Sequence, residues 1–138
     1  MEKKIIYQRL EEANTSDKII FYGKANDKEL ASLYANAIAL VAPSLMEGFG
    51  LPILEAMSLR CLVLASDIPA FKEIAGDAAI YFDPKENNDL HAKLKDILEN
   101  VEMHKEAKIE IAFKKAEQFS WEKAAAQTLN IYESAIGY

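Results

Sequence analysis

The stretch that decides the fold is PSLMEGFGLPILEAM, residues 43–57, in which a glycine-rich loop runs into the start of a helix. Gly48 and Gly50 permit a positive φ and let a ligand approach the backbone closely. Pro52 suits the first helical turn, where no N–H donor is needed. A helix start offers unpaired N–H groups and the positive end of the helix dipole, so it attracts phosphate. The stretch therefore predicts an anion-binding loop.

Two carboxylates frame this loop, Glu47 and Glu55, eight positions apart (55 − 47 = 8). Glu55 falls about one turn into the predicted helix, and helical side chains lean back toward the N-terminus. A carboxylate there can accept hydrogen bonds from a vicinal diol such as a ribose, and we expect Glu47 to face the same cleft from the loop. The alternative is a buried amphipathic helix with a glycine-rich entry turn, since glycine, proline and acidic residues are all common at helix starts.

The loop follows a continuous apolar run, residues 38–42, which is typical of a parallel strand covered on both faces. Open α/β sheets bind ligands at the carboxyl ends of their strands. Further strands are predicted at residues 19–22, 62–65 and 79–82, and helical periodicity separates them. This alternation predicts an α/β fold: a three-layer α/β/α, Rossmann-like parallel sheet of about four strands with C-terminal helices.

The helices carry recognisable apolar faces and caps. The periodicity predicts a first helix over residues 3–14, with Ile6, Leu10 and Ala13 on one face. Asn26 followed by Glu29 predicts a capping box. The apolar face of the helix that it opens comprises Leu30, Leu33, Tyr34 and Ala37.

After residue 84 the periodicity is helical throughout, and Ser120 can cap a last helix. The apolar stripe of that helix comprises Trp121, Ala125, Leu129 and Tyr132. We expect Trp121 to anchor the core rather than to serve as a sugar platform.

Composition limits the possible functions. The formal net charge of −6 argues against general nucleic-acid binding, and 51% hydrophobic residues support a real core. The single cysteine, Cys61, excludes an internal disulfide and is expected to be a buried thiol in a reducing compartment. His91 and His104 lie thirteen positions apart (104 − 91 = 13) and are expected at the surface, so we predict no metal site. No apolar run approaches the roughly 20 residues that cross a bilayer, and we expect a cytoplasmic protein.

Residues 18–84 resemble the C-terminal domain of retaining, nucleotide-sugar-dependent glycosyltransferases of the GT-B fold, the group 1 class. The hallmark of that class is two glutamates separated by seven residues, here Glu47 and Glu55. The matching flanking segments are residues 21–23, 29–34, 43–44, 65–67, 76–79, 82–84 and 119–121. The resemblance implies that residues 1–138 form a single, partial nucleotide-sugar-binding domain that lacks the N-terminal acceptor domain of the family.

The resemblance also implies roles for individual residues. Glu55 would hold the ribose hydroxyls of the donor, and Glu47 would be the catalytic residue that contacts the transferred sugar. The other implied donor-binding residues are Ser44, Gly48, Phe49, Gly50 and Leu51. The family needs no catalytic metal and no cofactor beyond the nucleoside-diphosphate sugar itself. The implied reaction is glycosyl transfer to a sugar or lipid-linked hydroxyl acceptor with retention of configuration.

The sequence departs from the family pattern in two respects. Arg60 and Leu62 stand where the family usually has glycine and proline, and we expect the turn at Arg60 to adopt a geometry other than the left-handed one. The chain also lacks an upstream Arg and Lys that neutralise the diphosphate, and Lys24 and Lys72 are the nearest basic residues. We therefore expect no activity from the isolated chain.

A non-catalytic nucleotide-binding or assembly module remains the alternative function. The family sheet also has strands that this chain lacks. We expect residues 19–22 to pair directly with residues 38–42, or else the exposed strand edges to pair in a homodimer.

Overall fold

A computed structural model describes residues 2–12 and 18–137. Ten helices and strands lie in these residues: α1 (Glu2–Glu12), α2 (Asp27–Asn36), β1 (Ala39–Ala42), α3 (Leu51–Ser58), β2 (Leu62–Ser66), α4 (Pro69–Ala75), β3 (Ile80–Phe82), α5 (Asn87–Glu99), α6 (Val101–Ala116) and α7 (Trp121–Ile136). A short 3₁₀ turn, Gly76–Ala78, follows α4. The last two residues of the predicted first helix, 13 and 14, lie outside the described residues.

The strands form one parallel sheet in the order β1-β2-β3. Ala39 of β1 lies opposite Leu62, and Leu64 of β2 lies opposite Ile80. Every residue of the central strand β2 is buried, as expected for a strand with helices on both faces. The predicted α/β architecture is confirmed, but the described residues contain three strands rather than about four.

The predicted strand at residues 19–22 is wrong. Residues 19–22 form neither a strand nor a helix, and the Ile20 side chain is 85% exposed. The expectation that this segment pairs with β1 is wrong as well, because β1 pairs with β2 alone in the described sheet. A strand-like sequence becomes a strand only when a neighbour takes up its backbone donors and acceptors.

Helices cover the sheet on both faces. One cluster of buried side chains joins α3 and α4 to one face of β2 and includes Ile53, Met57 and Phe71. The second cluster, on the opposite face, consists of Leu62, Leu64, Phe82 and Ile97 of α5. The predicted three-layer arrangement thus follows from the alternation of side chains along β2.

Helix α7 is the main exception to the predicted core. It forms as predicted, with the Ser120 hydroxyl accepting a hydrogen bond from the Lys123 backbone N–H at 3.2 Å. No residue of α7 is buried, and Trp121 is 77% exposed, so the prediction of a core anchor is wrong. Its apolar stripe is intact, but no described element packs over that face.

The buried face of α2 is narrower than the one predicted. The capping box is confirmed by reciprocal hydrogen bonds between Asn26 and Glu29, at 2.8 and 3.0 Å. Tyr34 is buried, whereas Leu33 and Ala37 are exposed because the body of the protein covers a narrower stripe of this helix than the periodicity predicts.

The turn after α3 adopts the left-handed geometry that we did not expect. Arg60 has φ of 58°. The Arg60 N–H donates to the carbonyl of Met57 at 3.2 Å, and the Cys61 N–H donates to that of Ala56 at 2.9 Å. This is the hydrogen-bond pattern of a Schellman motif, which usually places glycine at this position.

Side-chain contacts hold Arg60 in this turn. Its Nη1 lies 2.7 Å from Oε2 of Glu110, and its guanidinium stacks 4.1 Å from the ring centroid of Phe113. Both partners lie on α6, so the arginine links the end of α3 to α6.

Substitutions at Arg60 should separate the backbone strain from these contacts. We expect Arg60→Ala to be less stable than Arg60→Gly by about 1 kcal/mol, because both variants lose the contacts with α6 and only alanine keeps the strained φ. Urea unfolding of both variants measures the difference. Equal midpoints would show that the left-handed turn carries no strain.

Candidate functional site

The loop of residues 43–50 leaves the carboxyl end of β1 and enters α3 at Gly50. Gly50 is the residue before the helix and has φ of 113°. A Cβ atom at Gly50 would lie 3.0 Å from Cε1 of Phe71 on α4. Glycine therefore suits this position for two reasons, because it adopts the positive φ without strain and because it leaves space for the Phe71 ring. Pro52 lies in the first turn of α3, as predicted.

The start of α3 offers a row of backbone donors. The Gly50 carbonyl accepts from the N–H groups of Ile53 and Leu54, at 3.0 and 3.5 Å. Within the described part of the chain, the N–H groups of residues 48–51 have no protein acceptor. Four consecutive free donors beside a helix start, with its positive dipole end, are suited to an anion.

Glu47 is held within the loop itself. The Ser44 hydroxyl donates to Oε1 of Glu47 at 2.8 Å, and the glutamate side chain is exposed. The bond connects the two polar side chains of the loop that the sequence had singled out.

Glu55 lies in the second turn of α3, with its side chain exposed. The buried Tyr34 of α2 donates its hydroxyl hydrogen bond to Oε2 of Glu55 at 3.2 Å. Sequence analysis placed Tyr34 only in the core, because a contact across 21 positions has no local signal.

Glu55 also borders a groove of about 580 Å³ between α3 and the segment that joins α6 to α7. Phe49, Leu51 and Leu54 line its α3 side, and Phe119 and Trp121 are on the opposite side. The rings of Phe49 and Phe119 meet edge to face with their centroids 6.1 Å apart. Ser44, Glu47, Gly48 and Gly50 do not line this groove, so the structure brings only part of the predicted set together here.

Comparison with known proteins identifies the fold and the family. The family model for glycosyl transferases group 1 matches residues 1–113. The chain belongs to this family. It is 38% identical over 134 residues to O-antigen chain mannosyltransferase B of Escherichia coli, covering 96% of this chain and 34% of that protein. It is 34% identical over 128 residues to the MMP alpha-(1->4)-mannosyltransferase of Mycolicibacterium hassiacum, covering 91% of this chain and 31% of that protein.

Solved structures agree with this assignment. Sucrose-phosphate synthase from Thermosynechococcus elongatus superimposes with a TM-score of 0.87 at 25% identity, over 98% of this chain and 34% of that one. The C-terminal domain of a group 1 glycosyl transferase from Francisella tularensis gives a TM-score of 0.72 at 29% identity, over 84% of this chain and 60% of that one. The chain thus has a GT-B-like fold and spans about a third of the length of the curated relatives named above.

Two lysines near the candidate site of this group 1 chain interact with other protein groups. Lys72 pairs with Asp67 at 2.6 Å, and Nζ of Lys123 donates to the carbonyl of Gln118 at 3.1 Å. Asp67 therefore offsets the charge of Lys72, whereas Lys123, which lines the groove, keeps its positive charge. Asp67 and Lys72 lie at the carboxyl end of β2, on the side of the sheet where the loop begins.

Candidate metal ligands are sparse. Over residues 2–12 and 18–137, no three His, Cys, Asp or Glu side chains group as metal ligands do. His104 is less exposed than predicted, with 13% of its side chain accessible, because its Nε2 lies 2.9 Å from Asp96. Cys61 is buried as predicted, and burial raises the pKa of its thiol. In the same described residues, no helix is both long and apolar enough to cross a membrane.

The two loop glycines provide a matched pair of substitutions. Gly50→Ala should destabilise the fold by about 2–4 kcal/mol, because it strains φ and forces Cβ against the Phe71 ring. Gly48→Ala should change stability by less than about 0.5 kcal/mol, because no atom lies within 4 Å of its Cβ position. Thermal unfolding measures both, and equal effects would contradict this geometry.

Two tyrosines, the buried Tyr34 and the partly buried Tyr81, predict a loss of stability at alkaline pH. Burial, and then Glu55, raises the pKa of Tyr34 to about 12, and burial with Asp67 and Asp77 does the same for Tyr81. These phenols ionise near pH 10 when unfolded, so their contribution is complete below pH 10 and is lost as pH rises to about 12. Urea midpoints between pH 9 and about 12 should fall more steeply for the wild type than for Tyr34→Phe. Parallel curves would contradict the role of Tyr34.

Proposed function

We propose that this chain is the donor-binding part of a retaining glycosyltransferase. The reaction is transfer of a sugar from a nucleoside-diphosphate sugar to a hydroxyl acceptor. The observation that carries the proposal is the joint position of the free N–H groups of residues 48–51 and the Glu55 carboxylate at the start of one helix. A nucleoside diphosphate offers the matching pair, an anion and a vicinal diol.

The backbone donors would bind the diphosphate. They need no side-chain reorganisation, because Gly50 and Phe71 already fix the entry into α3. The same donors stabilise the charge that develops on the leaving diphosphate as the glycosidic bond breaks. In this proposal no metal takes part, and EDTA should leave nucleotide binding unchanged.

The two glutamates would bind the remaining parts of the donor, the ribose and the transferred sugar. Glu55 would accept hydrogen bonds from the ribose hydroxyls, and its position beside the groove leaves room for the nucleoside. Glu47 would contact the transferred sugar from the loop, with Ser44 fixing its carboxylate. Phe49 and Leu51 contribute backbone donors and a side-chain wall at the same place.

The names of the relatives suggest the sugar and the acceptor. Both curated relatives described above are called mannosyltransferases, and one is named for the O-antigen chain. We therefore propose a mannosyl donor and a sugar or lipid-linked acceptor of polysaccharide biosynthesis, in a cytoplasmic reaction. Because those relatives are about three times longer, acceptor binding and the cations for the diphosphate would come from residues outside the matched part, and the isolated chain would be inactive.

A second candidate is a non-catalytic module that assembles with another chain, including a second copy of itself. It is favoured by α7, in which no residue is buried, and by the exposed apolar side chains of Ile19 and Ile20. Light scattering, read together with a nucleotide titration, separates the candidates. A monomer that binds nucleotide supports the donor-binding part. An oligomer that binds no nucleotide supports the assembly module.

Nucleotide titration followed by two-dimensional amide NMR tests the proposal. UDP, GDP and ADP are added separately, and one should shift the amides of residues 48–51 in a saturable way. Glu55→Ala should weaken that binding about ten- to hundredfold, because hydrogen bonds to a charged group contribute about 1.5–3 kcal/mol.

Glu106→Ala is the matched control, since Glu106 is an exposed glutamate on α6 outside the groove. It should leave the affinity unchanged. A well-dispersed wild-type spectrum that none of the three nucleotides perturbs would overturn the donor-binding proposal.

A further inference from the structure

Tyr34 occupies an unusual position for a core residue. In α2, which lies wholly within the described residues, it is the only buried side chain. Its ring packs with the core cluster of α3 and β2, while its hydroxyl reaches Oε2 of Glu55 at 3.2 Å. One end of the side chain thus belongs to the core and the other to the candidate site.

The helix that carries Tyr34 is fixed at its start. The Asn26–Glu29 capping box closes the first turn of α2, two turns before Tyr34. A buried aromatic ring on a capped helix has few accessible rotamers, so its hydroxyl is a rigid donor. A glutamate on an exposed helix surface has several rotamers and loses that freedom when it binds a ligand.

The hydroxyl remains a donor across the neutral range. Burial raises the pKa of Tyr34 to about 12, and the negative charge of Glu55 contributes in the same direction. The phenol is therefore protonated throughout the neutral range. In the described structure, Tyr34 is the side chain that gives Glu55 a hydrogen bond.

A single donor on Oε2 leaves the carboxylate able to bind a diol. Each carboxylate oxygen accepts about two hydrogen bonds, so Oε2 retains one site and Oε1 retains both. The distance of 3.2 Å is long for an O–H···O bond, so we expect it to contribute little to folding stability.

We propose that Tyr34 is a positioning residue, which holds Glu55 in the orientation that accepts the two ribose hydroxyls of a nucleoside diphosphate. This inference rests on the proposed function, in which Glu55 binds the ribose. Tyr34 does not touch the nucleotide. It restricts the rotamers of Glu55 in the free protein, so that Glu55 loses less side-chain entropy when the nucleotide binds.

The test compares two ligands that differ only in the diol. The wild type and Tyr34→Phe are titrated with the ribonucleoside diphosphate that binds the wild type most tightly among UDP, GDP and ADP. Both are also titrated with its 2′,3′-dideoxy counterpart. Tyr34→Phe should weaken the ribonucleotide about three- to tenfold, as expected for one hydrogen bond, and should leave the dideoxy nucleotide within about twofold. Glu55→Ala combined with Tyr34→Phe should lose no more than Glu55→Ala alone.

Tyr81→Phe is the matched control for the loss of a phenol. Tyr81 is a partly buried tyrosine whose hydroxyl donates to the carbonyls of Gly76 and Phe71, at 2.8 and 3.3 Å, and it lies outside the groove. It should leave the ribonucleotide affinity unchanged, whatever its effect on stability. Urea midpoints confirm that each variant is folded at the titration temperature.

The outcomes separate the two proposals. Equal losses for the ribonucleotide and the dideoxy nucleotide, equal losses for Tyr34→Phe and Tyr81→Phe, or no loss for Tyr34→Phe overturn the positioning role alone. A wild type that binds none of the three nucleotides overturns the proposed function, and the positioning role with it.

Discussion

The left-handed conformation of Gly50, above the ring of Phe71, is the constraint on which the candidate site depends. It ends the loop of residues 43–50 and starts α3 at the point where the N–H groups of residues 48–51 have no acceptor among the described residues. The ring belongs to α4, which follows the central strand. The loop is therefore fixed by the packing of the core, and the spacing along α3 then sets the position of Glu55.

The site combines a rigid part with an adaptable part. Backbone donors at the helix start cannot change their direction without unfolding the first turn of α3. The carboxylates of Glu47 and Glu55 are exposed, and each is restrained by one neighbour, Ser44 and Tyr34 respectively. Such an arrangement suits a donor with an invariant diphosphate and a variable sugar, because the invariant group meets the rigid part.

The same fold leaves apolar surface uncovered at two places. Residues 19–22 and the whole of α7 carry large apolar side chains that are largely exposed. An exposed apolar face of this extent is typical of a surface that packs against another domain or chain. The length of the relatives, about three times that of the matched region, is consistent with this interpretation.

Much of the fold follows from local sequence. The capping box at Asn26, the helix start at Pro52, the buried strand β2 and the serine cap of α7 all depend on neighbours within a few positions, and all were predicted. Such features follow from backbone geometry and periodicity alone. The glycine-rich loop with its two glutamates was also found from sequence, because its residue types and spacing are local.

Burial and contacts across the chain were decided only by the tertiary structure. Residues 19–22 have the composition of a strand but form neither a strand nor a helix, and Trp121 lies on an apolar stripe that no described element covers. Arg60 adopts a glycine-like φ while its side chain contacts Glu110 and Phe113 of α6. Each of these results depends on which surfaces meet in space. The sequence by itself determined the loop and the described helices and strands, whereas packing decided that residues 19–22 form no strand, which apolar faces are buried and which donor reaches Glu55.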